Sequence, residues 1–174
     1  VWNHFAMNII NECDPRVIKN MLLALGLGAG VNGTKAVRAN REKYKCNIPF
    51  IILFDPTSAC NLHCKGCWSA EYGHRSNLSL DEMRSIVNQG TELGTHFYML
   101  TGGEPLLRPD FREIYTGCKR MGLMLSINSN ATLIDEAFVQ DMIRVKNFVP
   151  AISVEGIGEA TDVRRGEGTF NKID

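Results

Sequence analysis

From Pro49 onward, the sequence repeats a short apolar run followed by a longer amphipathic segment. The apolar runs lie at 50–54, 96–100, 123–127 and about 149–154. The first run, FIILF, is apolar at every position, which is typical of a parallel strand covered on both faces. Four strand and helix units in succession predict a parallel barrel or open sheet with right-handed crossovers.

Local signals predict where the helices between these strands begin and end. Ser79 and Glu82 have the spacing of a capping box, in which each side chain satisfies a free backbone amide at the helix start. Gly94 can end that helix, because glycine readily adopts the left-handed conformation common after a last helical turn. Pro109 is predicted to open the next helix, and a third helix is predicted from about Asp135.

Residues 1–47 precede the repeat and are predicted to be mainly helical. Their apolar stretch from Val17 to Leu27 is interrupted and followed by glycines at 26, 28 and 30, which we expect to break the helix. We therefore predict an α/β fold, in which a helical N-terminal segment precedes a partial TIM-type (βα) barrel of four parallel units at 48–174. A complete (β/α)8 barrel has ~250 residues, so these units are expected to be the N-terminal part of a larger core.

Charge and hydropathy give no reason to expect nucleic acid or a membrane as the partner of this chain. Nineteen basic and nineteen acidic residues balance, so the net charge gives no reason to expect nucleic acid as a partner. The longest apolar run, 21–31, is shorter than the ~20 residues that cross a bilayer, so no membrane span is predicted. The first residues lack the pattern of a secretory signal peptide, so we expect a cytoplasmic protein.

Six cysteines are present, and three of them fall within the eight-residue segment 60–67. The other three, Cys13, Cys46 and Cys118, are scattered and are predicted to pack as small apolar residues. This distribution is typical of a ligand cluster in a reducing cytoplasm and differs from the disulfide framework of a secreted protein.

Four unusual polar segments all follow predicted strands. They are the segments 55–68, 101–105, 128–132 and 153–156. The carboxyl ends of parallel strands meet at one edge of a sheet, where side chains and free amides from several strands converge. The sequence therefore predicts a single site built from these four loops.

The first of these loops, CNLHCKGC, spaces Cys60, Cys64 and Cys67 by three and then two residues. Three thiolates at this spacing can bind three irons of a [4Fe–4S] cubane and leave the fourth iron open to another ligand. A structural zinc site is the alternative interpretation, because zinc also favours thiolate and imidazole donors. Its fourth ligand would be His63, His74 or Cys46.

Together, CNLHCKGC, TGGEP, SNAT, SVEG and the late segment RRGEGTF resemble the radical SAM superfamily. The resemblance covers about residues 48–174. More narrowly, it is similar to the branch that includes the molybdenum-cofactor cyclase and the SPASM-type peptide-modifying enzymes. It implies an oxidoreductase that uses a [4Fe–4S] cluster to cleave S-adenosylmethionine reductively, and a 5′-deoxyadenosyl radical that takes hydrogen from a substrate.

The resemblance also implies a reductant such as flavodoxin or ferredoxin and an oxygen-poor, anaerobic setting. The substrate, a peptide or a small molecule, is not identified by this part of the sequence. A rival hypothesis is a non-catalytic zinc or iron–sulfur module with an interaction or redox-sensing role. That rival predicts no use for the Gly-Gly-Glu-Pro loop.

Residue by residue, the resemblance assigns cluster binding to the three cysteines of the first loop. The backbone of Gly102 and Gly103 is expected to accept the ammonium of S-adenosylmethionine, with Glu104 adding a carboxylate nearby. Ser153 and Glu155 correspond to positions that bind the ribose. The remaining expected cofactor contacts are Pro105, Ser129, Asn130, Trp68 and Arg165, the last as the partner of the cofactor carboxylate, with Arg164 as its competitor.

Two positions depart from the family pattern. Gly66 stands where an aromatic residue is common, and Trp68 follows the third cysteine instead. Either Trp68 takes over stacking on the adenine, or the backbone holds the adenine and Trp68 is an ordinary core residue. Ala131 stands where a glycine is common, so the tightness of its turn is open at this point.

Overall fold

The computed structural model describes residues 2–71, 73 and 75–174. Its strands are β1 (Ile51–Phe54), β2 (Phe97–Leu100), β3 (Met124–Ser129) and β4 (Phe148–Ile152). The helices are α1 (Trp2–Glu12), α2 (Pro15–Met21), α3 (Thr34–Tyr44), α4 (Trp68–Glu71), α5 (Leu80–Leu93), α6 (Phe111–Arg120), α7 (Glu136–Val145), α8 (Glu159–Arg165) and α9 (Phe170–Ile173). A π-helical segment (Leu22–Gly33) joins α2 to α3, and a 3-10 turn (Pro105–Leu107) follows β2.

The four strands form one parallel sheet in the order β1, β2, β3, β4. Phe54 pairs with Leu100, and Leu100 pairs with Ile127. Neighbouring strands therefore end close to the same level of the sheet. The predicted α/β fold, with four parallel strands alternating with helices after a helical N-terminal segment, is confirmed.

The main core lies between this sheet and α5, α6 and α7. Side chains alternate along each strand, so every second residue faces the helices. The fully buried strand residues on that face are Tyr98, Leu100, Leu125 and Ile127. Burying each such side chain contributes about 1.5–3 kcal/mol. On the opposite, concave face, Leu53 is 55% exposed.

The predicted helix boundaries hold at α5. Ser79 and Glu82 form the complete capping box, with Ser79 N donating to Glu82 Oε2 at 2.7 Å. Gly94 ends the helix at φ 104°, in the left-handed region. By contrast, α6 begins at Phe111, two residues after the proline that was predicted to open it. Phe111 N donates to the carbonyl of Arg108 at 3.2 Å and Arg108 pairs with Asp110 at 2.7 Å, so Pro109 and Asp110 lie in a turn that precedes the helix.

The expectation that glycines would break the N-terminal helix is wrong. The segment Leu22–Gly33 continues as a π-helix directly into α3. Its glycines permit a close approach to the rest of the fold. A Cβ on Gly33 would lie 2.6 Å from the carbonyl oxygen of Gly94, so only a residue without a side chain fits there.

Two of the three scattered cysteines also differ from expectation. Cys118 is buried as predicted, and burial raises the pKa of its thiol to about 11. Cys13 and Cys46 are exposed. Both lie at the ends of N-terminal helices, where no part of the main core covers them.

The N-terminal helices are tied to the far end of the sheet, away from the carboxyl ends of the strands. Asn20 donates to the carbonyl of Lys146 at 2.8 Å, and the Lys146 ammonium forms an ion pair with Asp14. Among the described residues, no helix is both long and apolar enough to cross a bilayer.

Candidate functional site

A cleft lies at the carboxyl edge of the sheet, and all four predicted loops contribute to it. From the first loop come Cys60, Cys64 and Cys67, and from the second come Thr101, Gly102 and Gly103. From the third come Asn128, Ser129 and Asn130, and the last part of the chain adds Ser153, Arg164 and Arg165. The predicted convergence of the loops is therefore present in the structure.

The cysteine loop is folded so that its three thiols share this cleft. Cys67 N donates to the carbonyl of Cys64 at 3.2 Å, which closes a tight turn. Gly66 adopts φ 69° within that turn. This left-handed conformation explains why glycine, and no aromatic residue, precedes the third cysteine. Each of the three cysteines is partly buried.

Backbone and amide donors surround the sulfur of Cys60. Leu62 N lies 3.4 Å from Cys60 Sγ, and Asn130 Nδ2 lies 3.9 Å from it. Burial raises the pKa of Cys60, whereas these two hydrogen bonds oppose the rise. Donors of this kind stabilise a thiolate and tune the potential of an iron–sulfur cluster.

The three thiols share one cleft, and thiolates are the donors that iron–sulfur clusters use. A tetrahedral zinc site needs its sulfurs about 4 Å apart, since each Zn–S bond is about 2.3 Å. Among the described residues, no group of three or more His, Cys, Asp or Glu side chains is already arranged to hold a metal ion. The three thiols nevertheless line one cleft, as expected for ligands that bind different irons of a cubane.

None of the residues predicted as a fourth zinc ligand is among the described residues that line the cysteine cleft. His63 is exposed and is not among the residues that line the cleft. Cys46 is exposed beyond the end of α3. His74 lies outside the described residues.

Gly102 and Gly103 bring the loop after β2 against the cysteine loop. Gly103 N donates to the carbonyl of Thr57 at 3.0 Å, and the next amide donates to the carbonyl of Ala59 at 2.7 Å. A Cβ on Gly103 would lie 2.0 Å from that same Ala59 oxygen. Gly102 adopts φ 105°. The two glycines are therefore required for packing between the loops as well as for lining the cleft.

Glu104 is completely buried behind the cleft and does not line it. Its carboxylate accepts hydrogen bonds from Ser129 Oγ at 2.9 Å, Asn130 N at 2.7 Å and Leu106 N at 3.1 Å. Burial raises the pKa of Glu104, and the three hydrogen bonds oppose that rise. The buried Pro105 starts the adjoining 3-10 turn. Both residues hold the loop in place from behind.

The turn after β3 is as tight as one containing glycine. Ala131 adopts φ 62°, and its amide donates to Ser129 Oγ at 2.9 Å. A non-glycine residue is strained in this left-handed region. The Asn130 side chain donates to Asn61 Oδ1 at 2.8 Å and accepts from the amide of Thr132 at 3.0 Å, so the turn is also fastened to the cysteine loop.

Glu155 and the two arginines of α8 form an ion-pair group beside the thiols. Glu155 Oε1 accepts from Arg164 Nη1 and from Arg165 Nη2, each at 2.8 Å. Burial alone would raise the pKa of Glu155, but the two guanidinium groups outweigh it and lower that pKa. Lys65 N donates to the carbonyl of Arg164 at 2.8 Å, so α8 is attached to the cysteine loop.

Arg165 contributes a buried N–H donor to this region of the site. Its side chain is only 13% exposed and lines the cleft. Its Nε is buried without a hydrogen-bond partner among the described residues. Buried N–H groups are nearly always paired, so this donor fits a carboxylate that enters the cleft. Arg164 also lines the cleft but is more exposed, at 47%.

The structure separates Trp68 from the other predicted cofactor contacts. Its side chain is 52% exposed and lines a neighbouring cavity that includes Asp55. Conversely, sequence reasoning did not single out Thr101 and Asn128, which line the cleft. Both stand one residue beyond paired positions on β2 and β3, so the alternation of strand side chains is the signal that places them on the concave face.

Comparison with protein-family models identifies the superfamily. The model described as the radical SAM superfamily matches residues 54–174. This range begins at the last residue of β1 and includes all four loops of the cleft.

Individual relatives are longer than this chain. Fe-coproporphyrin III synthase of Methanosarcina barkeri is 27% identical over 124 residues, which cover 70% of this chain and 31% of that protein. Streptococcus suis SuiB bound to precursor peptide SuiA superposes with a TM-score of 0.66 at 21% identity, covering 76% of this chain and 31% of SuiB. Native anSMEcpe with bound AdoMet gives 0.61 at 26% identity, covering 72% and 38%. The chain thus spans about a third of the length of these proteins.

Proposed function

Because the chain belongs to the radical SAM superfamily, we propose that residues 48–174 form the cofactor-binding part of a radical SAM enzyme. In this proposal Cys60, Cys64 and Cys67 bind a [4Fe–4S] cluster, and S-adenosylmethionine occupies the rest of the cleft. The observation that carries the proposal is that Arg165, whose buried Nε has no hydrogen-bond partner among the described residues, lines the same cleft as the three thiols.

The cofactors supply the difficult chemistry. When bound, the reduced cluster provides the electron that cleaves S-adenosylmethionine to methionine and a 5′-deoxyadenosyl radical, which takes hydrogen from a substrate carbon. The protein contributes orientation, charge and protection from water. Flavodoxin or ferredoxin is the proposed electron donor, and a reducing cytoplasm is the proposed location, since free thiols persist there.

The cleft residues divide the recognition of S-adenosylmethionine among them. Arg165 binds the carboxylate, because its guanidinium offers N–H donors that are fixed by the ion pair with Glu155. The carbonyl oxygens of Gly102 and Gly103 accept hydrogen bonds from the ammonium group of S-adenosylmethionine. Ser153, which lines the cleft, binds a ribose hydroxyl, and Glu155, which is not among the lining residues but is paired with both arginines, offers its remaining acceptor capacity to the ribose.

Glu104 acts on the cofactor indirectly in this proposal. It is fully buried and already accepts three hydrogen bonds, two of them from the last residue of β3 and the residue that follows it. Glu104 therefore positions the glycine loop and Ser129, and the glycine carbonyls make the contact with the ammonium. Trp68 is assigned to the neighbouring cavity, and the adenine is held mainly by backbone groups of the cleft.

The rival hypothesis of a non-catalytic metal module has less support. It needs only the cysteine loop, yet three further loops meet that loop at the same edge of the sheet. It also gives no role to the buried Arg165 donor. The substrate, a peptide or a small molecule, is recognised in part by other regions of the protein in this proposal.

The test is anaerobic reconstitution of the full-length protein with iron, sulfide and a strong reductant, followed by assay for 5′-deoxyadenosine. We expect 5′-deoxyadenosine from the unsubstituted protein and none from the Cys64→Ala variant. Cys118→Ser is the matched control, because Cys118 is buried in the helical layer and is no ligand in the proposal. Tight zinc binding without 5′-deoxyadenosine, or undiminished product from Cys64→Ala, would contradict the proposed function.

A further inference from the structure

A second cavity lies beside the cysteine cleft and shares no lining residue with it. Its volume is about 360 Å³, within the range of small-molecule sites. Asp55, Ser58, Trp68, Ser76, Asn77 and Leu78 line it. Of the residues predicted from the sequence to contact the cofactor, Trp68 lines this cavity, and it is not among the residues that line the cleft.

Asp55 lines this second cavity and lies next to a residue of the cysteine cleft. It directly follows β1, in the row of residues that includes the concave-face residue Leu53. A Cβ on Gly102, which lines the cysteine cleft, would lie 3.0 Å from Asp55 Cβ. A group bound at Asp55 is therefore close to the loop that we assign to S-adenosylmethionine.

One oxygen of the Asp55 carboxylate has no hydrogen-bond donor among the described residues. This oxygen, Oδ1, is buried. Burial is also the reason that the pKa of Asp55 is raised. Leaving a buried acceptor unpaired costs about 1–3 kcal/mol, and native structures rarely do so without a functional reason. A ligand that brings N–H donors would remove this cost.

Two other polar atoms of the cavity already have hydrogen-bond partners. Ser58 Oγ accepts from Ser76 N at 3.0 Å, and Asn77 Oδ1 accepts from Thr57 Oγ1 at 2.5 Å. Among the described residues that line this cavity, Asp55 carries the only formal charge, and Trp68 supplies an aromatic wall. A carboxylate beside an indole is an arrangement that binds organic cations, through charge-assisted hydrogen bonds and attraction to the aromatic face.

We infer that this cavity binds a guanidinium or ammonium group of the substrate, with Asp55 as its acceptor and Trp68 as the surface against which it lies. The inference deepens the proposed function, on which it rests for describing the occupant as substrate. It names a substrate class, one that carries a positively charged nitrogen group within reach of the cofactor cleft. It also gives Trp68 a role in substrate recognition.

The test uses N-acetyl-arginine amide as a probe and N-acetyl-citrulline amide as its uncharged isostere. The full-length protein is labelled with 5-fluorotryptophan, and the ¹⁹F resonance of Trp68 is assigned by its loss in the Trp68→Phe variant. We expect a saturable shift of that resonance with the arginine probe and none with the citrulline probe. Asp55→Asn should abolish the shift. The matched control Asp81→Asn, at a side chain that is 91% exposed, should preserve it.

An absent shift, an equal shift with the citrulline probe, or a shift that persists in Asp55→Asn would overturn the inference. The assay for 5′-deoxyadenosine on the unsubstituted protein separates this result from the proposed function. If the protein forms 5′-deoxyadenosine but does not respond to the arginine probe, the inference fails alone. If it forms none, the proposed function fails, and with it the description of the occupant as substrate.

Discussion

The Glu104 carboxylate accepts a hydrogen bond from the Ser129 hydroxyl at 2.9 Å, and both residues are almost completely excluded from water. Glu104 belongs to the loop after β2, and Ser129 is the last residue of β3. The contact therefore fixes two walls of the cleft relative to each other from behind. This buried contact therefore helps to keep the shape of the cleft.

Replacing Glu104 by glutamine tests that role. The carboxylate accepts three hydrogen bonds, whereas the glutamine side chain has an NH2 group in place of one oxygen. That NH2 group would face at least one of the three present donors, and the hydrogen bond would be lost. We expect the free energy of unfolding to fall by about 1–3 kcal/mol, as for a buried unsatisfied group. Urea denaturation measures it. Glu92→Gln, at an exposed position of α5, is the control, and equal stability of the two variants would contradict the role.

Gly103→Ala should separate the glycine loop from the cysteine loop. The new methyl group would lie 2.0 Å from the carbonyl oxygen of Ala59, so one of the two backbones must move. We expect the reconstituted variant to retain less iron and to lose its binding of S-adenosylmethionine, measured by iron analysis and calorimetry. Gly117→Ala, where a Cβ meets nothing within 4 Å, should bind normally and gain up to about 1 kcal/mol of stability. Normal cofactor binding by Gly103→Ala would refute the packing argument.

Ala131→Gly should stabilise the protein. Ala131 sits at φ 62°, where a left-handed backbone costs a non-glycine residue about 1–2 kcal/mol. Part of this gain is lost to the greater freedom of glycine in the unfolded chain, so we expect a net gain of roughly 0.5–1 kcal/mol in the free energy of unfolding. Ala137→Gly, inside α7, should instead lose about 1 kcal/mol. A loss of stability in Ala131→Gly would show that the turn is not strained.

Asp55→Asn should change how stability depends on pH. Burial raises the pKa of Asp55, so the folded protein binds this proton more readily than the unfolded chain does. The contribution of Asp55 to stability therefore falls as the pH rises from the unfolded value of ~3.9 through the raised folded value. We expect Asp55→Asn to be more stable than the parent near neutral pH, and the difference to shrink toward pH 4. Thermal unfolding from pH 4 to 8 measures the difference in stability between the two proteins. If that difference does not depend on pH, the raised pKa of Asp55 is contradicted.

Much of this architecture could be predicted from the sequence because the relevant signals are local. The apolar runs predicted the ends of the strands to within about two residues, and the capping box at Ser79 predicted the start of α5. The convergence of the polar loops followed from parallel strand order alone.

The features that sequence reasoning missed depend on contacts between distant residues. The close approach of Gly33 to Gly94 keeps the glycine-rich segment helical, and no local pattern near Gly33 reports it. In the same way, the sequence predicts that the Glu104 carboxylate contacts the cofactor, because its hydrogen bonds to residues 25 and 26 positions later in the chain leave no local signal. The unpaired oxygen of Asp55 is likewise visible only once the cavity around it is formed.

The central claim is that the three thiols bind a cluster whose open iron accepts S-adenosylmethionine. Electron paramagnetic resonance of the reconstituted, reduced protein tests it most directly. We predict the signal of a reduced [4Fe–4S] cluster whose g values change on addition of S-adenosylmethionine, and no such signal in the Cys64→Ala variant. A cluster signal that S-adenosylmethionine leaves unchanged, or a cluster that assembles equally well without Cys64, would contradict the account.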